Sequence, residues 1–197
     1  IKEQTSLLAH LTSDLRDLSL AESGQLKLEL APINLINLIR RKALQFEVKA
    51  QEKGVRIKTD LPGDLPAVII DPTRIEQVLG NLITNAISHT PTGGIITISL
   101  KSIDSDIEHQ INSPSLVFSI TDTGEGISPE HLPYIFERFY RVEKSRARSE
   151  GGSGLGLAIV KQVVEHHHGQ IDVENGPSGQ GAVFTIWLPR RKPQETS

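Results

Sequence analysis

Two stretches of this sequence combine residue types and spacings suited to holding a ligand. Asn81 and Asn85 lie four residues apart in a helical pattern, so their carboxamides project from one face. Their oxygens could bind a hard cation such as Mg²⁺, or they could be hydrogen-bonded residues at the edge of a core. Asp122 follows an alternating apolar run and precedes Gly124 and Gly126. This second stretch is either a common turn or a carboxylate placed beside an open ligand floor.

A glycine-rich segment, GGSGLGLAIV, runs from Gly151 to Val160 and opens a predicted helix. The free N–H groups and positive dipole end of such a helix form a natural anion site. A Walker loop is excluded, because the lysine and hydroxyl that should follow the final glycine are missing. A dinucleotide fold is also excluded, because no strand directly precedes the glycines.

The segment before these glycines, IFERFYRVEKSRARSEGG, alternates aromatic residues with arginines. The residues from Gly126 to Gly154 show little periodicity, and long irregular loops in compact domains are usually lids or disordered. The segment is therefore either an exposed basic loop with a hydrophobic anchor or a hinged lid. In a lid, Arg138 and Arg141 could reach a polyphosphate.

Composition narrows the classes of function. Cysteine is absent, which excludes disulfides, thiolate metal sites and cysteine nucleophiles. A net charge of −3 and 4% aromatic residues give no support to a nucleic-acid surface. No apolar run approaches the roughly 20 residues that a membrane helix needs. The histidines at 166–168 point in different directions and have no further ligand at metal spacing, so they indicate a helix end.

Helices and strands alternate irregularly around these motifs. An opening amphipathic helix carries Leu15 and Leu18 and stops near Gly24; its apolar stripe requires a partner, such as a second chain or a missing helix. A second helix ends at Gly54, and Asp71-Pro72 predicts the start of a third. The predicted strands are VRIKTDLP, AVIID, GGIITISLK, SLVFSITD, QIDVE and AVFTIWLP. This order predicts an α+β protein, a two-layer α/β sandwich preceded by a long helix, rather than a doubly wound sheet.

The motifs resemble, in type and order, the boxes of sensor histidine kinases. The segments NLITNAISHTP, DTGEGI, IFERFYR, GGSGLGLAIVK and GQGAVFTIWLP are similar, in this order, to the asparagine box, the first glycine box, the phenylalanine box, the second glycine box and the closing strand of that family. The opening helix, with DLRDLSLAESGQLKLELAPINL, resembles the second helix of the dimerisation hairpin and its linker. The resemblance implies a Bergerat-type (GHKL) ATP-binding fold, a mixed sheet backed by helices with a mobile lid.

The same resemblance assigns roles to residues of this chain. It implies that Asn85 holds Mg²⁺ with support from Asn81, and that Asp122 binds the adenine amino group. Arg138 and Arg141 would stabilise charge on the transferring phosphoryl group, so that Asn81 and these arginines form the catalytic set. The other implied nucleotide-binding residues are His89, Gly124, Gly126, Gly152, Gly154, Leu155, Gly156 and Thr185.

Three positions modify what the resemblance implies. Ser88 stands where the asparagine box often has a phosphate-binding lysine. No phosphoacceptor box is present and His10 lacks its context, so the acceptor histidine is expected upstream, on the first helix of the hairpin of a longer protein. Relatives that hydrolyse ATP, such as gyrase, carry a glutamate where Asn81 stands, and an amide cannot take a proton from water. Fast ATP hydrolysis is therefore not expected.

The sequence thus predicts the catalytic region of a two-component sensor histidine kinase. Residues 1–31 would form the hairpin helix and linker, 32–190 the ATP-binding domain and 191–197 a tail. Expected partners are ATP, Mg²⁺, the parent kinase's phosphoacceptor helix and a response regulator. The region is expected to be cytoplasmic, without contact to a membrane or nucleic acid, within a homodimeric parent that could be membrane-anchored. The alternatives are a nucleotide-binding module without transfer activity and an anti-sigma-type serine kinase.

Overall fold

The computed structural model describes residues 12, 15–21, 23–142, 153–176 and 179–190. Within them, residues 15–21 are helical and are called α1 here. The remaining helices are α2 (Leu35–Glu52), α3 (Pro72–His89) and α4 (Gly156–His166), with a short 3-10 helix at Leu132–Tyr134. The strands are β1 (Ala31–Ile33), β2 (Arg56–Asp60), β3 (Val68–Ile70), β4 (Ile95–Ile103), β5 (Ser115–Asp122), β6 (Gln170–Asn175) and β7 (Ala182–Pro189).

Five strands form a mixed sheet in the order β2-β4-β5-β7-β6, in which β2 and β4 are parallel and the other pairs antiparallel. Helices α2, α3 and α4 cover one face, since α2 packs on β2, α3 on β5 and α4 on β6. The predicted α/β sandwich with a mixed sheet is confirmed. Among the described helices, none is long and apolar enough to span a membrane.

The core lies between this sheet and the helices because the strands alternate. In β4, for example, Ile96, Ile98 and Leu100 are buried while their neighbours are not. Helix α3 lies at the centre of the helical layer and contacts both α2 and α4. Its buried residues are Ile75, Val78, Leu79, Leu82, Ile83, Ala86 and Ile87.

The ends of the helices follow the predicted capping chemistry. The Asp71 carboxylate accepts a hydrogen bond from Arg74 N–H at 3.1 Å, and Pro72 is the first residue of α3. Helix α2 ends just before Gly54, whose φ of 72° only glycine adopts freely. Gly24, with φ of 67°, closes α1 in the same manner. These boundaries were readable from the sequence because each is set by one local side chain or by glycine.

One strand was missed. Ala31–Ile33 pairs antiparallel with Val68–Ile70, although residues 31–33 are not among the strands that the sequence predicted. A two-stranded edge pair accepts proline, which removes just one ladder donor. The predicted domain boundary between residues 31 and 32 falls inside this strand. The division into hairpin segment and ATP-binding domain stays a prediction.

Part of the apolar stripe of α1 packs against the core of this chain. Leu18 is 3% exposed and joins the main core cluster, whereas Leu15 is 48% exposed. The Asp17 carboxylate accepts hydrogen bonds from the Arg74 guanidinium at 2.7 Å and from Gln77 Nε2 at 3.1 Å. At Leu18, the surface that covers the stripe is therefore the core of the same chain. Residues 1–11 of the predicted helix lie outside the described residues.

The polar loop between β4 and β5 folds back on the outer face of the sheet. Asp106 and Ile111 form an isolated β-bridge, and the Asp106 carboxylate lies 3.2 Å from Trp187 Nε1 and 3.0 Å from His109 Nδ1. The His109 ring stacks on Trp187 with 4.4 Å between centroids. Partial burial alone would raise the pKa of Asp106, but the hydrogen bonds from His109 and Trp187 outweigh it and hold the pKa below its usual range.

We predict that Asp106→Ala detaches this loop and shifts the fluorescence of Trp187, the only tryptophan of the chain, to longer wavelength. The cause is loss of the acceptor that ties the indole N–H and His109 to the loop. A carboxylate with a lowered pKa contributes stability above its unfolded pKa of about 3.9, and loses it as pH falls through the lower folded value. The wild type should therefore show the same shift only in acid. Ile107→Ala, at a side chain that is 90% exposed, is the matched control. An unchanged spectrum in Asp106→Ala would contradict the anchoring role.

Candidate functional site

The predicted asparagine pair and the second glycine run meet where α3 passes the start of α4. Asn81 Nδ2 donates a hydrogen bond to the Gly156 carbonyl at 3.1 Å. A Cβ built on Gly156 would lie 3.6 Å from Asn81 Cγ, which is ordinary van der Waals distance. Asn85 lies one turn further along α3 and is half-buried. Two motifs 75 residues apart in the chain are thus in direct contact.

The start of α4 is built to leave backbone N–H groups available. Leu155 caps the helix without a side-chain hydrogen bond to its first turn. Its own side chain is fully buried, and its backbone N–H donates to Ser153 Oγ at 3.2 Å, so Leu155 can bind a ligand only by exchanging that hydrogen bond. The first-turn amides of a helix have no partner within the helix, and they bind anions well. Gly152, which was also predicted to bind the nucleotide, lies outside the described residues.

A hydrogen bond joins the two sides of the arginine-bearing loop. Phe139 N–H donates to the Gly154 carbonyl at 2.9 Å. Phe139 has a φ of 60° and Gly154 a φ of 71°, so both lie in the left-handed region. A Cβ on Gly154 would stand 2.9 Å from the Phe139 backbone, which explains why glycine is required there. Phe139 N–H and Gly154 therefore define the neck of the predicted lid.

Asp122 ends β5 in a buried position, 6% exposed. Its Oδ1 accepts a hydrogen bond from Gly124 N–H at 2.8 Å. A Cβ on Gly124 would lie 2.5 Å from the His89 carbonyl oxygen, so the backbone after Asp122 passes directly against the end of α3. The turn therefore holds the Asp122 carboxylate in place, and glycine is required at position 124 because the backbone packs too closely against His89 for a Cβ.

Two residues that support this turn were missed by the sequence reasoning. A Cβ on Gly181 would fall 1.9 Å from the Asp122 carbonyl oxygen, and Gly181 N–H donates to the Gly124 carbonyl at 2.8 Å. Asn175 bonds Ile127 through both of its carboxamide atoms, each at 2.7 Å. Gly181 stood in the GQGAVF motif and could have been identified there. Asn175 had no sequence signal, because its partner is 48 residues away.

Burial raises the pKa of the Asp122 carboxyl above its usual range. Hydrogen bonds from the N–H groups of Gly124 and Ala182, and the nearby His89, act in the opposite direction and only reduce the effect. Desolvation of the charged form therefore dominates at this site. A ligand that donates a hydrogen bond to Asp122 would compensate part of that cost.

The structure describes four more of the predicted site residues. His89 is exposed at the last turn of α3, and Gly126 with φ of 79° sits between Asn175 and Gly179. Arg138 lines a cavity of about 260 Å³ that also involves Leu18 of α1 and Lys161 of α4. The half-buried Arg141 follows the lid neck in the chain.

Thr185 is not brought to the site. It is paired with Ser119 and Asp172 across the sheet, and its neighbours Phe184 and Ile186 are the residues buried against the helices. Because side chains alternate along a strand, Thr185 points to the outer face, away from Asp122.

Lysine reaches the end of α3 from another element. Lys53, which follows α2, donates from Nζ to the carbonyl oxygens of Ile87 and Ser88. Lys53 thus places a positive charge at the C-terminal carbonyls of α3, where a cation interacts favourably with the helix dipole.

We predict that Asp122→Asn stabilises the free protein at pH 7 while weakening ATP binding about tenfold or more, as expected for a lost hydrogen bond to a charged group. An aspartate whose folded pKa is raised stabilises the fold fully below its unfolded pKa and loses that contribution as pH rises through the folded value. The variant should therefore melt at higher temperature than the wild type at pH 7, and the difference should vanish in acid. Thermal melts and calorimetry measure both effects. Equal ATP affinity of the two proteins would contradict the role of Asp122.

Comparison with known proteins identifies the family. Residues 70–192 match the model of the histidine kinase-, DNA gyrase B- and HSP90-like ATPases. The chain belongs to this family. The matched range includes α3, the Asp122 turn and α4, so the motifs that meet in space are those that the family model covers.

Within the family, the chain is similar to sensor histidine kinases. The sensor-like histidine kinase SenX3 of Mycobacterium tuberculosis is 34% identical over 186 residues, 94% of this chain but 43% of that protein. The chain thus spans less than half the length of this relative.

Two solved structures agree. The catalytic domain of histidine kinase ThkA is 30% identical with a TM-score of 0.69, covering 83% of this chain and 97% of that one. Full-length ShkA, solved with AMPPNP, is 30% identical with a TM-score of 0.81, covering 97% of this chain and 37% of that one. This chain is an ATP-binding domain of the histidine kinase type.

Proposed function

We propose that the chain is the catalytic region of a two-component sensor histidine kinase, which binds Mg-ATP and passes the γ-phosphoryl group to a histidine for relay to a response-regulator aspartate. The observation that carries the proposal is the contact of Asn81 with the Gly156 carbonyl at the start of α4. The group at this point is a carboxamide, which cannot act as a general base for water. An acceptor that brings its own nucleophile, such as an imidazole, fits this site better than hydrolysis.

The two ends of the site divide nucleotide recognition. Asp122 accepts a hydrogen bond from the adenine amino group, and Gly124 holds the carboxylate through its N–H while it packs against the end of α3. The backbone amides of residues 154–156 bind phosphate oxygens at the start of α4. His89 is exposed near Gly124 and can flank the base, because the built Cβ of Gly124 meets the His89 carbonyl.

Asn85 fits a Mg²⁺ ion. Its carboxamide is half-buried one turn after Asn81, and an oxygen donor from one residue suits an ion that keeps most of its waters. When bound, Mg²⁺ neutralises charge on the phosphate oxygens. No group of three His, Cys, Asp or Glu side chains able to bind a metal occurs among the described residues, so Asn85 would act together with the phosphates rather than in a protein cage.

The chain's own contribution to transfer is positioning and charge stabilisation. Transfer of a phosphoryl group needs the attacking and leaving atoms in line, with the charge on the phosphate oxygens balanced. The backbone amides at the start of α4 hold the phosphates. Asn81 keeps this part of α4 in place through its hydrogen bond to the Gly156 carbonyl. Arg138 or Arg141 supplies positive charge from the lid. The γ-phosphoryl leaves ADP and bonds to an imidazole nitrogen supplied by another segment.

The partners follow from this chemistry. The acceptor histidine is expected on the first hairpin helix of the parent kinase, which is expected to be a homodimer with this region on the cytoplasmic side. A structure of ThkA in complex with the response regulator TrrA is 27% identical to this chain, with a TM-score of 0.71 over 95% of it. That likeness supports a response regulator as the second partner here.

We predict that Asn85→Ala removes the Mg²⁺-dependent part of ATP affinity. Calorimetry of the variant with Mg²⁺ should match that of the wild type in EDTA, because the cation loses its protein ligand. Thr84→Ala, at a half-buried neighbour on the same helix, is the control and should keep the Mg²⁺ dependence. A Mg²⁺ dependence that survives in Asn85→Ala would exclude this residue as the ligand.

Transfer is tested with γ-labelled ATP and a separate polypeptide that carries the hairpin with its acceptor histidine. We expect acid-labile phosphohistidine on the acceptor and slow release of free phosphate. Label that resists acid would instead indicate a serine kinase. Binding of ATP with no transfer at any ratio of the two polypeptides would indicate a nucleotide-binding module, and either outcome would overturn the kinase assignment.

A further inference from the structure

A buried histidine lies at the end of α4 opposite to the predicted phosphate-binding residues. His167 follows the last residue of α4 and is 6% exposed. Its Nδ1 lies 2.8 Å from the Val163 carbonyl oxygen, and its Nε2 lies 3.0 Å from the backbone N of Asp71. A carbonyl can only accept and a backbone N–H can only donate. The ring is therefore neutral, with the proton on Nδ1 and a lone pair on Nε2.

The partner of His167 begins the helix that carries the asparagines. Asp71 is 4% exposed and caps α3, accepting Arg74 N–H on Oδ1 and the N–H of Glu29, from the segment after α1, on Oδ2 at 2.9 Å. The backbone N–H of Asp71 donates to His167. Asp71 therefore connects α3, α4 and the segment around Glu29 in one buried junction. Removal of the acceptor would leave a buried N–H without this bond, which is costly.

Helices α3 and α4 are consequently bonded to each other at two points. Asp71 meets His167 at one end, and Asn81 meets Gly156 at the other. Asn81 lies ten positions after Asp71, which corresponds to about 15 Å of helix, and α4 covers a similar length in the opposite direction. Two hydrogen bonds this far apart set how far one helix can slide along the other. The bond at Asn81 lies in the nucleotide site, whereas the bond at His167 lies outside it.

We propose that His167 is a positioning residue for the nucleotide site, because its acceptor Nε2 fixes the register of α4 along α3. The amides of residues 154–156 belong to α4 and its approach, while Asn81 and Asn85 belong to α3. A change in register moves the phosphate-binding amides relative to the asparagines. The Asp122 turn belongs to β5 and stays in place. This inference rests on the proposed function, since it assigns phosphate binding to α4.

The test compares two ligands in three variants. We expect His167→Leu to weaken Mg-ATP binding about tenfold, the size of effect that one buried hydrogen bond has. Binding of adenosine, which has no phosphates, should change less than about twofold, the Asp122 turn being unmoved. His167→Gln, whose side-chain oxygen can accept the Asp71 N–H, should recover most of the Mg-ATP affinity. Calorimetry measures Mg-ATP, and the amide NMR signal of Gly124 reports adenosine.

His166→Leu is the matched control. His166 also bonds a carbonyl four residues back, Gln162 at 2.8 Å, but that bond stays within α4. This variant should bind Mg-ATP like the wild type. Equal loss of both ligands in His167→Leu, or failure of glutamine to restore Mg-ATP binding, would show a merely structural role. Unchanged Mg-ATP binding in a folded His167→Leu would also overturn the inference while leaving the kinase proposal intact.

A second measurement needs no variant. Nitrogen NMR of the unmodified chain should show His167 protonated on Nδ1 and not on Nε2 at neutral pH. The opposite tautomer would overturn the inference even if His167→Leu failed to fold. Failure of the wild type to bind Mg-ATP would contradict the proposed function instead, and the tautomer would then still decide whether the α3–α4 bond exists.

Discussion

Burial of one face of α3 is the interaction on which the rest of the structure depends. Seven residues of this helix are buried between the sheet and its two neighbours. At roughly 1.5–3 kcal/mol for each large apolar side chain, this packing far exceeds any single polar contact at the site. It leaves the edge of the helix that carries Asn81 and Asn85 half-buried toward α4. Core packing thus holds α3 and α4 together, while the hydrogen bonds at Asn81 and His167 select the register of one helix along the other.

The elements were largely readable from the sequence because their signals are local. Asp71-Pro72, Gly54 and Gly24 each mark a helix boundary through a cap or a left-handed glycine. The nucleotide-binding residues were predicted as a set from the resemblance, and the contact of Asn81 with Gly156 is compatible with that prediction. What could not be read was pairing across long distances in the chain: His167 with Asp71 spans 96 residues, and Asn175 with Ile127 spans 48. Thr185 was assigned to the site, but its side chain points to the other face of the sheet. Successive side chains of a strand point to opposite faces, so a difference of one residue is enough to change the face.

Stability and recognition oppose each other at the end of β5. A carboxyl that is buried with a raised pKa is a poor choice for a stable core, but it leaves a strong acceptor ready for a ligand donor. Gly124 and Gly181 have the same character, because each gives up side-chain packing so that two backbones can approach. The fold tolerates these costs because they are confined to one turn at the edge of a well-packed layer.

The hydrogen bond between Phe139 and Gly154 has a consequence for how this region can vary. It brings the two ends of the intervening chain together, so the start of α4 does not depend on how many residues lie between them. Closing a flexible loop of twice the length costs only about 0.6 kcal/mol more. An insertion between Arg141 and Gly152 should therefore leave α4 in place.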